Sequence, residues 1–218
     1  MYMPYFKDLN LLFIHIPRTG GTSLDTYFAD KCNVILNEDI LFGGSLNHCK
    51  LKDLYNNFNI DFNNIKIITV VRNPYDRIIS DLFFYKLINT NMNSNEVYNN
   101  VYNFLKTDEN KYANHKLPQY LYLLNNNIID DKIIIMKTET LKEDMIKNGY
   151  IDFNNKVNVT FKDKIDYMTL LNKQSIELIN TYYAKDFEYF NYTMIKSYVK
   201  NKNHIIIQNL KDLIIKHT

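Results

Sequence analysis

The sequence predicts an α/β fold, a single domain with a central, mainly parallel sheet flanked by helices. A short, continuously apolar run at residues 11–16 and a run rich in β-branched residues at 65–71 have the composition of strands buried in such a sheet. Each run is followed by a turn with proline and then by a helical segment, and strands that alternate with helices favour parallel pairing. A length of 218 residues and a hydrophobic content of 46% suit one globular domain.

Capping patterns, proline and periodicity assign the other elements. The first helix is predicted at about residues 22–30, because Thr22 to Asp25 matches a capping box. Pro74 suits the first turn of the helix after the second strand. Asparagine-rich residues 89–100 are predicted to form a loop. The further predictions are helices at 51–58, 74–88, 101–106, 118–124, from 138 onward, 173–183 and 205–215, a third strand at 132–136, and a glycine loop at 43–44.

Charge and cysteine content exclude several classes of protein. The net charge of +2 is too balanced for a protein whose partner is nucleic acid or a membrane surface. Cys32 and Cys49 form no CxxC pair, and the sequence has no metal-ligand spacing, so we expect no metal. The sequence has no secretory signal pattern and no apolar run near the ~20 residues of a membrane span, so we expect a cytoplasmic protein.

Arginine is rare in this chain and is concentrated at the two strand-to-helix junctions. Only Arg18, Arg72 and Arg77 occur, whereas the other 23 of the 26 basic residues are lysines. A guanidinium group is always charged and presents its donors in a planar fork that matches phosphate. The clustering therefore predicts that both junctions bind phosphate groups.

The first junction has the composition of a phosphate cradle. Gly20 and Gly21 let backbone N–H groups approach a ligand, and the N-terminus of the following helix favours an anion. Arg18 adds positive charge, and three neighbouring side chains supply hydroxyl groups: Thr19, Thr22 and Ser23. No lysine follows the second glycine, so this P-loop-like strand–loop–helix lacks the signature of nucleoside triphosphatases. One ligand with two separated phosphates would explain both junctions.

Both junctions resemble motifs of one enzyme family. Residues 17–23, Pro-Arg-Thr-Gly-Gly-Thr-Ser, resemble the 5′-phosphosulfate loop of sulfotransferases, and residues 72–80, Arg-Asn-Pro-x-x-Arg-x-x-Ser, resemble their 3′-phosphate motif. Residues 47–54 and 133–141 are similar to further segments of the family, and residues 115–124 and 183–190 are similar to segments of its carbohydrate (heparan or sulfotransferase-2-like) branch. We therefore expect a sulfotransferase domain at residues 1–192, followed by a C-terminal helical extension of unknown role at residues 193–218.

The resemblance implies a donor, an acceptor and a reaction. The donor would be 3′-phosphoadenosine-5′-phosphosulfate (PAPS), the product 3′-phosphoadenosine 5′-phosphate (PAP), and the acceptor a hydroxyl group of a glycan or small metabolite. The family mechanism is an in-line displacement without a metal. Arg18 would stabilise charge at the leaving oxygen, residues 19–23 would hold the 5′-phosphate, and Arg72 and Ser80 would bind the 3′-phosphate. Most relatives have lysine in place of Arg18, and because arginine stays charged it is a poor proton donor.

His48 is the expected general base, because it matches the position of the catalytic histidine in heparan-type relatives. An unperturbed imidazole titrates near neutral pH, which suits proton abstraction from the acceptor. The expected catalytic residues are thus Arg18, His48 and Ser80. Asp25, on the first helix, and His115, in a His-x-x-Pro-Gln segment, are alternatives for the base, whereas His15 is expected to be a packed residue near the site.

Two other functions remain open at this point. A P-loop nucleotide or metabolite kinase would use ATP with magnesium, although the loop lysine that it requires is absent. A non-catalytic relic of the sulfotransferase fold would bind a nucleotide or a partner protein, although the motif residues Arg18, Ser23, Arg72 and Ser80 are present. Preference for PAP over ATP would distinguish a sulfotransferase from the kinase.

Overall fold

Short strands alternate with helices along the chain. The computed structural model describes residues 5–32, 48–57, 62, 64–107, 109–154 and 166–196. The strands are β1 (Tyr5–Phe6), β2 (Leu11–Ile14), β3 (Lys66–Val71), β4 (Leu124–Asn125), β5 (Ile128–Ile129) and β6 (Ile134–Lys137). The α-helices are α1 (Gly21–Cys32), α2 (Leu51–Asn57), α3 (Pro74–Phe84), α4 (Ser94–Lys106), α5 (Tyr120–Leu123), α6 (Leu141–Lys147), α7 (Lys173–Tyr182) and α8 (Ala184–Tyr189).

The main sheet has four strands in the order β1–β2–β3–β6. β2, β3 and β6 are parallel, and β1 pairs antiparallel with β2. Ile68 of β3 lies between Phe13 of β2 and Ile134 of β6. This arrangement brings the carboxyl ends of three parallel strands to one edge of the sheet, where open α/β sheets bind their ligands.

The central strands are apolar because both of their faces are buried. Every residue of β2 is buried, and so are all residues of β3 except Lys66. Thr69 is a polar exception with no exposed surface. Its hydroxyl group donates to the carbonyl oxygen of Ile14 at 2.8 Å, so this buried polar group has a partner.

Within the α/β domain, the chain divides into two compact units, each with its own core. The first unit comprises residues 1–72 and 122–159 and contains the whole main sheet. Side chains of α1 and α6 pack with one face of this sheet in a continuous apolar cluster that includes Phe13, Leu24, Phe28, Ile68, Val70, Met136 and Met145.

The second unit comprises residues 73–121 and 160–218 and is helical in its described part. Its core joins α3, α4, α7 and α8 through buried side chains that include Ile79, Leu82, Val101, Phe104, Ile179 and Phe187. Asp186 is fully buried in this unit and accepts from the backbone N–H groups of Gln119 at 2.8 Å and Tyr120 at 2.9 Å. The carboxylate therefore caps the start of α5.

The predicted fold class is confirmed, because the chain forms a mainly parallel sheet flanked by helices. The prediction of a loop at residues 89–100 is wrong, since α4 begins at Ser94. Asn93 caps this helix through Asn95 and Glu96, and the Glu96 side chain accepts from the Asn93 N–H at 2.8 Å. The predicted helix at residues 74–88 is too long, because Lys86 takes a left-handed φ of 56° just after α3 ends.

Several short elements were not predicted from the sequence, namely β1, the β4–β5 hairpin and α8. Two- and six-residue elements contain too few residues for a clear period. The predicted glycine loop at 43–44 and the predicted helix at 205–215 lie outside the described residues.

Candidate active site

The loop that connects β2 to α1 takes an unusual backbone path. Arg18 has a φ of 63° and Gly20 a φ of 87°, so two left-handed residues bend the chain within three positions. Thr19 lies between them with no exposed surface, and its hydroxyl group donates to the Ile16 carbonyl at 2.8 Å. The Thr19 hydroxyl thus stabilises the loop itself.

Helix α1 begins at Gly21, one residue before the predicted start. The predicted capping box is therefore wrong: Thr22 lies inside the helix, where its carbonyl oxygen accepts from the Thr26 hydroxyl at 2.9 Å. The first turn of a helix has N–H groups without partners inside the helix, and the helix dipole adds positive potential there. This twelve-residue helix consequently starts at the loop with the electrostatic character of an anion site.

Asp25 contacts His15 instead of capping the helix. Its Oδ2 atom lies 2.8 Å from Nδ1 of His15, and both side chains are largely buried, with 8% and 11% exposure. The separation is that of an ion pair, although Nδ1 lacks the angle of a well-formed hydrogen bond. The expectation of a packed His15 is in line with this contact.

The His15 ring also lies directly against Gly21. A Cβ atom added at Gly21 would come within 2.2 Å of Cδ2 and 2.3 Å of Nε2 of this ring. Real Cβ atoms do not approach other atoms so closely, so only glycine fits at position 21 while the ring keeps its place. The second glycine of the motif is thus explained by close approach of a side chain.

His48 lies beside His15 in the same unit. Its Nδ1 atom is 3.1 Å from the carbonyl oxygen of His15, and the two rings meet edge to face with 5.0 Å between centroids. A carbonyl oxygen only accepts hydrogen bonds, so Nδ1 must carry the proton. In the neutral ring the lone pair is then on Nε2, which is the form that accepts a proton from an acceptor hydroxyl.

Arg72 follows β3 and reaches the loop after β2. Its Nη1 atom donates to the carbonyl oxygen of Arg18 at 3.2 Å. Arg18 and Arg72 are both half-buried, so two permanent positive charges are associated with the same loop. Incomplete burial keeps the charges partly solvated, while lower exposure to water strengthens their attraction for an anion.

Thr138 joins this site from the end of β6, and it was not among the site residues predicted from the sequence. Its hydroxyl lies 2.6 Å from the Thr19 carbonyl oxygen and 3.1 Å from that of Val71. Thr138 therefore connects the end of β6 to the end of β3 and to the loop that follows β2. Two signals could have drawn attention to Thr138: its position directly after a predicted strand and its place in the family-like segment 133–141.

Cys49 follows His48 but has a poor thiol for nucleophilic chemistry. Burial, followed by the charge of Asp53, raises the pKa of the Cys49 thiol to about 11. The thiol is therefore protonated at neutral pH, and the thiolate is the reactive form. The imidazole is the stronger candidate for proton transfer in this segment.

The second unit contains Ser80, Arg77 and His115. Ser80 is buried on α3, with 3% exposure. Arg77 is 1% exposed and donates to the carbonyl oxygens of His115 at 2.6 Å and Leu117 at 2.8 Å. The guanidinium group of Arg77 therefore binds a turn of the protein.

His115 is a buried histidine with a carboxylate partner. Its Nδ1 atom lies 2.7 Å from Oδ1 of Asp81, and its ring stacks on Phe84 with 5.5 Å between centroids. Its carbonyl oxygen also accepts from Arg77. These contacts pack His115 within the second unit.

The described ranges contain no group of three or more His, Cys, Asp or Glu side chains that could hold a metal ion. Among the same residues, no helix combines the length and apolar character needed to cross a bilayer.

Comparison with known proteins gives one family. A family model described as "Sulfotransferase family" matches residues 3–193. A search of curated proteins and a search of solved structures each found no significant match.

Proposed function

Because the chain belongs to the sulfotransferase family, we propose that it transfers the sulfuryl group of PAPS to a hydroxyl acceptor and releases PAP. The observation that carries this proposal is the contact between Arg72 and the carbonyl oxygen of Arg18. It associates two guanidinium groups with a left-handed loop at the N-terminus of α1. Such a loop suits a dianionic ligand better than a neutral one.

The donor's 5′-phosphosulfate is assigned to residues 18–23. The N-terminal turn of α1 offers backbone N–H donors, and the exposed Thr22 and buried Ser23 add hydroxyl groups. Thr19 would contribute through its backbone, because its hydroxyl already donates to Ile16. Gly20 would allow the phosphate to approach the backbone closely, and Gly21 would contribute its N–H at the start of α1.

The 3′-phosphate is assigned to Arg72 and Ser80 on the strength of the motif at residues 72–80. The fork of Arg72 can pair with a phosphate through charge-assisted hydrogen bonds. A group that binds the 3′-phosphate would distinguish PAPS and PAP from nucleotides that lack it.

Sulfuryl transfer requires one bond to form while another breaks. The acceptor oxygen forms a bond to sulfur, the bond from sulfur to the 5′-phosphate oxygen breaks, and the acceptor proton moves to Nε2 of His48. Arg18 would stabilise the negative charge that develops on the leaving phosphate oxygen. General-base catalysis of this kind contributes about 10²–10⁴-fold to a rate.

We propose that the acceptor is the hydroxyl group of a glycan. A small hydroxylated metabolite is the alternative. The support is the resemblance of residues 115–124 and 183–190 to the carbohydrate branch of the family. A screen of both acceptor types with labelled PAPS would separate them.

Calorimetric titration with PAP tests the donor assignment first. Adenosine 5′-monophosphate, which lacks the 3′-phosphate, and ATP with magnesium are the comparison ligands. We expect micromolar or tighter binding of PAP, and a loss of about 1.5–3 kcal/mol in the Arg72→Ala variant, with little change for the monophosphate. Lys52→Ala, which removes an exposed cation on α2, is the matched control. Equal losses for both nucleotides would overturn the assignment of Arg72, and preference for ATP with magnesium would overturn the proposed function.

A further inference from the structure

We propose that His15 and Asp25 form a positioning pair for the general base, and that they act on the reaction through His48. This inference rests on the proposed function. Neither residue needs to touch the acceptor for this role. The pair would fix the carbonyl oxygen to which His48 donates, together with the ring against which His48 packs.

His15 is held on three sides within the first unit. Its Nδ1 atom faces Asp25 at 2.8 Å, its ring covers Gly21, and it stacks on Phe13 with 5.5 Å between centroids. Asp25 is only 6% exposed. A buried carboxylate is unfavourable without a partner, so movement of the His15 ring would leave an uncompensated charge. These contacts hold the His15 ring in place, and the ring in turn restrains the main chain of residue 15.

His48 depends on residue 15 in two ways. Its Nδ1–H donates to the His15 carbonyl oxygen at 3.1 Å, and its ring meets the His15 ring at an interplanar angle of 82°. The hydrogen bond selects the tautomer with the lone pair on Nε2, and the ring contact sets the direction of that lone pair. Disorder at His15 would thus weaken both the tautomer preference and the orientation of the base.

The geometry also distinguishes this role from proton abstraction by Asp25. Oδ2 of Asp25 is directed at an imidazole nitrogen, and little of the residue is accessible. A positioning carboxylate can be replaced by asparagine, which has the same shape and can keep the close contact with Nδ1 of His15. A general base cannot be replaced in this way, because an amide does not take up the proton.

Two variants of Asp25 separate these roles. Asp25→Leu removes the contact at similar volume, and we expect it to lower kcat about 10–100-fold while the Kd for PAP changes less than about threefold. Asp25→Asn should recover most of the lost turnover. Equal losses of about 10²-fold or more in both variants would identify Asp25 as the base and overturn the proposal.

A double variant tests whether the pair acts through His48. In a His48→Ala background, Asp25→Leu should lower kcat by less than about threefold further, because the group that it positions is already absent. Losses that multiply would show that Asp25 acts independently of His48, and the proposal would be wrong.

Imidazole NMR gives a readout that does not depend on turnover. The chain has five histidines, so long-range ¹H–¹⁵N spectra of labelled protein at pH 8 are tractable, with His48→Gln used for assignment. We expect the Nδ1-protonated tautomer of His48 in the wild-type protein and a mixture of tautomers in Asp25→Leu.

An Nε2-protonated His48 in the wild type, or the same tautomer in wild type and Asp25→Leu, would overturn the positioning role. Should Asp25→Leu fail to fold, two measurements still test the positioning role: the tautomer of His48 in the wild-type protein and the kcat of Asp25→Asn. Absence of PAP binding and sulfuryl transfer in the wild-type protein would instead refute the proposed function, while the tautomer measurement would still test the pair.

Discussion

Replacement of Gly21 by alanine tests the packing of the site directly. The added Cβ atom would lie 2.2 Å from Cδ2 of His15, and the ring has little freedom to move because Asp25 holds Nδ1 at 2.8 Å. Overpacking of a buried site costs roughly 1–3 kcal/mol, whereas glycine to alanine in a helix otherwise stabilises by up to ~1 kcal/mol. We therefore expect Gly21→Ala to lower the free energy of unfolding by about 1–2 kcal/mol.

Urea denaturation measures this change, and a second background controls it. In His15→Ala protein the ring is gone, so adding Gly21→Ala should be neutral or stabilising. PAP affinity, measured by titration, should fall about 5–30-fold in Gly21→Ala alone, since the clash displaces the start of α1. If Gly21→Ala has the same effect on the free energy of unfolding in both backgrounds, the ring does not cause it and the reasoning fails.

Three further predictions concern other residues. Arg77→Met should lower the free energy of unfolding by roughly 2–5 kcal/mol, because two buried carbonyl oxygens lose their donor; a loss below about 0.5 kcal/mol in urea denaturation would contradict this. Burial raises the pKa of Asp186 from 3.8 to about 6, so the folded state favours the protonated form and the free energy of unfolding should fall as pH rises through that range, by at most about 3 kcal/mol. Asp186→Asn should flatten this dependence in denaturation series across pH, and an unchanged slope would refute it. His48→Ala should lower kcat about 10²–10⁴-fold with PAP affinity within about threefold of wild type, and full turnover would assign the base to another residue.

The sequence predicted β2, β3 and the loop after β2 well, because their signals are local. An apolar run and a run rich in β-branched residues located β2 and β3 within about two residues at each end. Paired glycines after a buried strand indicated the turn and the helix start, and the rarity of arginine pointed to Arg18 and Arg72.

Contacts between distant residues were outside the reach of the sequence. The spacing of Thr22 and Asp25 fits a capping box, and nothing in the sequence indicates that Asp25 contacts His15. The structure shows this contact, and it shows that α1 begins at Gly21, which rules out Thr22 as the cap. The partners of Arg77 could not be predicted from its motif, because a guanidinium fork fits two carbonyl oxygens as readily as a phosphate. The asparagine-rich start of α4 was misread because asparagine favours loops as well as helix caps.

Arg18 stands where the backbone itself favours another residue. A left-handed φ of 63° is unfavourable by about 1–2 kcal/mol for most side chains, whereas glycine adopts it freely and asparagine with little penalty. A duplicate of this gene freed from selection for turnover should therefore drift towards glycine or asparagine at position 18 and become slightly more stable as it does so. The identity of this one residue would then distinguish working enzymes from silent copies among sequences that keep the same fold.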